Sequence, residues 1–185
     1  MSYSVFNIIN AKSNIQINNI LLAAFEYFGE FTSILEFKEV HITDRDTPMI
    51  FYPYRDKNEV IIHLTQNVIG SPQEYIYQLS HEIAHTLFAN KEPANNLEEG
   101  LCTYFSLECI KKGFGINIYN NYRCYTLLTH YAKPLILVEK MINWNNECIK
   151  IFRAKYPTLK NITANSLKEI SILSLEEMTY LCEKF

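Results

Sequence analysis

The chain has 185 residues, of which 48% are hydrophobic and 20% charged, with a formal net charge of −3. That suits one domain with a real core, excludes a disordered chain, and leaves no electrostatic case for nucleic acid as a partner. Lysines and arginines are scattered, so no polybasic membrane patch occurs either. The N-terminus, MSYSVFNIINAKSNIQINN, lacks the basic start, apolar run and small-residue site of a secretory signal. The most apolar stretch near it, Ile20 to Phe28, contains Glu26 and is too short to span a bilayer. The expectation is a cytoplasmic protein.

In chain order, apolar residues recur at helical spacing from about Ile15 to Phe28, and Gly29 is a natural stop. Ile34 to Thr43 reads as a strand. A turn follows at Asp44–Pro48, and two short β-rich runs, Met49 to Tyr54 and Val60 to Thr65, are joined by Arg55–Asn58 as a hairpin. The simplest arrangement of these runs is a small, mostly antiparallel sheet. From there the pattern turns helical. Ser71-Pro72-Gln73-Glu74 combines a cap, a first-position proline and a capping-box glutamate, and predicts a helix to about Asn90. A second helix is predicted from near Asn96 to Lys111-Lys112-Gly113. Four more are predicted over about 120–132, 134–153, 166–173 and 175–184, the last opened by the capping box Ser174–Glu177. The order gives an α+β chain, read as one domain with a sheet half over about 1–90 and a helical half over about 91–185.

Within the first strong helix lies His81-Glu82-Ile83-Ala84-His85, an HExxH. Four residues of helix advance about 400°, which leaves the two histidines about 40° apart and one turn (about 6 Å) from each other. Two imidazoles on one stripe can share a zinc ion, and Glu82, rotated about 100° from His81, can reach a water at that ion as general base. Such a site needs a third protein ligand. The next helix brings Glu98 and Glu99 near its start. Glu99 is favoured as the ligand because Gly100 beside it permits close backbone approach. Glu98 flanks the stripe of Leu97, Leu101 and Phe105 and reads as a rim or supporting residue. Without a metal, the same residues would be a polar pair on a helix with Glu82 in a surface ion pair. The five cysteines, Cys102, Cys109, Cys124, Cys148 and Cys182, are odd in number and form no CxxC; they read as free, mostly buried thiols.

HEIAHTLF followed by LEEGLCTYFS resembles the gluzincin metallopeptidases, in which a second helix carries the third ligand as Glu in an Asn-Glu-Gly context. The resemblance covers about 30 residues of the chain. It implies a zincin-like fold with a twisted sheet and an edge strand above the cleft, and a helical half below. It implies His81, His85 and Glu99 as zinc ligands and Glu82 as catalytic base, with a protein or peptide as substrate. Cys102 stands where the family usually has a small alanine. No Gly-x-Met-Glu-Asn segment is present to hold a substrate amine, so an endopeptidase is expected. The oxyanion needs a further donor from the helical half. Tyr104, Tyr122, Tyr125, His130 and Tyr131 are candidates, and His130 and Tyr131 are favoured because they lie well past Glu99 and just before Pro134. The strand Val60–Thr65 is expected beside the cleft, with His63 as a half-exposed structural residue and no role for His41. Thr103 and Asp46 are candidates to hold a ligand imidazole. The alternatives are a regulatory protease with one dedicated target, an exported effector protease, and a zinc-fold binding protein without turnover.

Overall fold

The computed structural model describes residues 6–7, 11–30, 36–54, 56–88, 93–159 and 161–185. Within these, the fold is α+β and mostly helical, built around a small mixed sheet. The strands are β1 (Phe6–Asn7), β2 (Glu36–Thr43), β3 (Met49–Phe51) and β4 (Glu59–Thr65). The helices are α1 (Ala11–Phe28), α2 (Pro72–Thr86), α3 (Asn96–Phe114), α4 (Ile116–Thr126), α5 (Ala132–Trp144), α6 (Cys148–Lys155), α7 (Ala164–Leu167) and α8 (Leu175–Cys182).

The sheet order is β1-β2-β4-β3. The β3–β4 hairpin is antiparallel as the turn chemistry suggests, but the longest pairing, β2 with β4, is parallel. The expected mostly antiparallel sheet is therefore corrected to a mixed one. Strand β4 carries the most continuous apolar run, with Val60, Ile62 and Leu64 wholly buried, and it takes the central place where both ladders are satisfied. The short β3 is left at the edge of the described sheet, where it pairs with Ile61, Ile62 and His63 of β4.

Helix α1 starts a turn earlier than its apolar period suggests and stops where predicted. Gly29 adopts φ +80° and donates to Phe25 O at 2.9 Å, closing the last turn. Predicted residues 34 and 35 of the second strand, Arg55 of the hairpin, and the predicted end of α2 at residues 89–90 fall outside the described residues. Helix α3 runs through Gly113 and ends instead at Gly115, where φ is +87°. The single helix expected over 134–153 is two. Asn145 leaves helical geometry, and its side chain accepts from the Glu147 amide at 3.0 Å, a local bond that competes with the helix.

The core runs from α1 through β2 and β4 into α2, α3, α5, α6 and α8. Helix α2 lies at its centre, packed against α1, β3, β4 and most extensively α3. Residues Gln78 to Ala84 are all buried, polar ones included.

Candidate metal centre

Two caps and one amide fix the helices that carry the site. Ser71 Oγ accepts from the Glu74 amide at 3.2 Å, starting α2. The reciprocal half of the expected capping box is not formed; the Glu74 carboxylate instead accepts from Gln78 Nε2 at 2.8 Å and Tyr122 Oη at 3.0 Å. The buried Gln78 amide locks α2 to the end of β4, accepting from Thr65 N at 2.9 Å and donating to Thr65 Oγ1 at 2.7 Å. In α3, Asn95 Oδ1 accepts from the Glu98 amide at 2.9 Å. Gly100 lies where α5 crosses: a Cβ there would stand 2.7 Å from Pro134 O and 2.8 Å from Val138 Cγ2. Only glycine lets the two backbones meet at this distance.

These constraints bring the three predicted ligands together. His81 Nε2 and His85 Nε2 are 3.2 Å apart. Glu99 Oε2 is 3.3 Å from the first, and Glu99 Oε1 is 3.5 Å from the second. Adjacent ligands of a tetrahedral zinc with bonds of 2.0–2.1 Å are separated by about 3.3–3.4 Å. The chain thus presents two nitrogens and a carboxylate at the spacing that the ion requires, and this is the cluster of metal-binding type among the described residues. The residues fit a zinc ion.

The surroundings fit as well. His85 Nδ1 pairs with Glu98 Oε1 at 2.8 Å, which orients Nε2 of the same ring toward Glu99 and His81. Glu98 is thus the residue that holds the His85 imidazole in place. Thr103 Oγ1, proposed for that task, finds no partner among the described residues, and Asp46 lies exposed in the turn after β2. Glu99 Oε2 accepts no hydrogen bond among the described residues. Burial alone would raise the Glu99 carboxyl, but His85 and His81 outweigh it and hold the group far below the usual carboxylate range. Burial pulls His85 down, yet Cys102, Glu99 and Glu98 together hold it well above the ordinary imidazole value. The Cys102 thiol is itself pushed up to about 12 by burial, so the carboxylates are the partners that hold His85 up.

Glu82 faces the same cleft. Burial raises its carboxyl against the pull of His81 and His85, with Glu99 adding to the rise and the Ile50 backbone amide opposing it. A carboxyl raised in this way can exchange a proton closer to neutrality than a solvated one.

The cleft, about 370 Å³, has Pro48, Met49, Ile50 and Tyr52 on its sheet side and Pro93, Ala94 and Tyr131 opposite. The two favoured oxyanion donors part company here. Tyr131 lines the cleft, its ring edge-on to His81 at 5.8 Å between centroids. Burial raises its hydroxyl first, and Glu99 and Glu82 raise it further, which places that hydroxyl in the field of the site. His130 is exposed and stacks on the outer side of Tyr131. The other tyrosines point elsewhere: Tyr104 packs on Tyr27, Tyr122 on Tyr77, and Tyr125 is exposed. His63 is sandwiched between His41 and Phe51 on the outer face of the sheet, a structural place as expected. Sequence reasoning missed Tyr52 and the Pro48–Ile50 segment as cleft wall. The hairpin immediately before α2 was the available signal, read for the wrong one of its strands.

Comparison with known protein families, with curated proteins and with solved structures gives no match for this chain. No helix among the described residues is long and apolar enough to cross a membrane.

Proposed function

We propose that this chain is a zinc-dependent peptidase of the gluzincin kind, a minimal zincin-like enzyme that cleaves internal bonds of a protein or peptide in the cytoplasm. The observation that carries the reading is the convergence of His81, His85 and Glu99 at tetrahedral ligand spacing, with the raised carboxyl of Glu82 in the same cleft. A bound zinc ion supplies a Lewis acid that acidifies a water and polarises a carbonyl. Glu82 takes the proton from the attacking water and passes it to the leaving amine. Tyr131 donates to the substrate oxygen as negative charge grows on it. Strand β3, at the sheet edge on the cleft wall, offers backbone groups to an extended chain. The free thiols suit a reducing compartment.

The test is to incubate zinc-loaded wild type and Glu82→Gln with a mixture of unfolded proteins and read new N-termini by mass spectrometry. Wild type generates them. Glu82→Gln keeps its zinc and loses at least about 100-fold in rate. Zinc-loaded wild type that cleaves nothing in the mixture speaks against general proteolysis and for the zinc-fold binding protein.

A further inference from the structure

Tyr131 sits in a poor position to hold itself still. It follows the turn after α4 and precedes α5, with no side-chain cap of its own. Its local support is at the backbone: its amide donates to Thr129 Oγ1 at 3.3 Å and its carbonyl accepts from the Leu135 amide at 3.0 Å. Its ring is braced from outside by residues distant in sequence. Phe185 lies 4.9 Å from the Tyr131 ring and 5.0 Å from the His130 ring, and these two are themselves 4.4 Å apart.

Phe185 is delivered there by a short strand. Residues 183–185 run antiparallel to 94–96: Asn95 bridges Lys184, the Asn96 amide donates to Glu183 O at 3.0 Å, and the Phe185 amide donates to Ala94 O at 3.1 Å. The buried Asn96 side chain ties the same strand down, donating to Tyr180 O at 2.9 Å and Glu183 O at 3.3 Å. Ala94 and Tyr131 both line the cleft. The strap therefore fastens two separate parts of one cleft wall. Phe185 remains 36% exposed, so filling the core does not explain its place; its ring contacts are with Tyr131 and His130.

We infer that Phe185, carried on the 183–185 strap, is a positioning residue that holds the Tyr131 ring against His81, so that its hydroxyl is preset at the metal centre. This rests on the zinc-peptidase reading of that centre. An aromatic brace restricts the ring to one staggered setting, and a preset donor spends no ordering entropy when a ligand arrives.

The experiment uses the full chain, loaded with zinc and assayed for metal content, with acetohydroxamate as probe. A hydroxamate chelates zinc and presents an oxygen to a neighbouring donor, so its affinity, measured by calorimetry, reads Tyr131 without any knowledge of the substrate. Tyr131→Phe and Phe185→Ala are each expected to weaken acetohydroxamate about tenfold, the worth of about one hydrogen bond. The double variant is expected to be no weaker than either, because both act through one contact. Phe185→Tyr, which keeps the ring, is expected to restore wild-type affinity. A zinc-loaded Phe185→Ala that binds within twofold of wild type overturns the strap's role even if its melting temperature falls, as does a Tyr131→Phe without effect. A wild type that takes up no zinc overturns the metal-centre reading itself, and this inference with it.

Discussion

Two clusters of buried charge lie along and just beyond α2, and they are built on opposite principles. At the end of α2, the Arg153 guanidinium from α6 is almost wholly buried with backbone carbonyls for partners: Phe28 O at 2.5 Å, Gly29 O at 2.8 Å, Glu30 O at 3.1 Å and Leu87 O at 2.7 Å. It thereby satisfies the carbonyls that two helix ends leave over, where the helix dipoles favour a cation. Burial lowers it to about 10, which leaves it charged at neutral pH. One turn earlier, His81, His85 and Glu99 point their nitrogens and oxygens at each other, and Glu99 Oε2 accepts no hydrogen bond among the described residues. The first cluster spreads its two terminal nitrogens over four carbonyls, with Nε left without a partner among the described residues, and contributes to stability. The second brings two imidazole nitrogens and a carboxylate to one point, at the spacing of ligands about a cation. Buried charge alone is therefore no sign of function; convergence of several ligand atoms on one point is the sign.

Substitutions can break this contrast, beginning with the largest effect. Glu99→Ala should lower zinc affinity on the order of a thousandfold, one ligand's share of a structural-type binding energy, in a competition assay against a chelator. It should change the melting temperature of the metal-free protein less, since Glu98 still pairs with His85. Arg153→Met should do the reverse. Four carbonyls lose their donor, so urea unfolding should show a loss of about 3 kcal/mol, with zinc affinity unaltered. Glu98→Gln keeps an acceptor for His85 Nδ1 but removes the charge. Zinc affinity should fall by about tenfold to a hundredfold, less than for Glu99→Ala.

The smallest effect belongs to a partly exposed carboxylate at a helix start, away from both clusters. Glu177 is held below the usual carboxylate range, first by the Ser174 backbone amide and then by Lys140. A depressed group stabilises the fold above its unfolded value and loses that contribution as pH falls through the folded one. Glu177→Gln should thus cost well under about 1 kcal/mol at neutral pH, given solvent screening. The difference from wild type should shrink below about pH 4 in pH-dependent unfolding curves.

How much of this was legible in the sequence follows from what is local. Caps and helical period put His81 and His85 on one stripe of α2 and Glu98 and Glu99 at the start of α3, because hydrogen bonds within a few residues decide those features. Gly100 was readable for the same reason, as a residue needed where backbones touch. The parallel pairing of β2 with β4 was not, since strand order depends on contacts that no local pattern encodes. Choosing between His130 and Tyr131 required the turn after α4, which sets neighbouring side chains in different directions. Arg153 was invisible for a similar reason: beside Phe152 on a short amphipathic helix it reads as one more surface cation, and only the meeting of α1, α2 and α6 turns it inward.

The most direct measurement is the zinc stoichiometry of the purified wild-type chain by native mass spectrometry, beside Glu99→Ala and Glu82→Gln. The account predicts about one zinc per chain in wild type and Glu82→Gln and none in Glu99→Ala. A wild type that emerges from zinc-replete buffer without bound metal would contradict it, and would make the convergence of His81, His85 and Glu99 a polar cluster of the helix pair and nothing more.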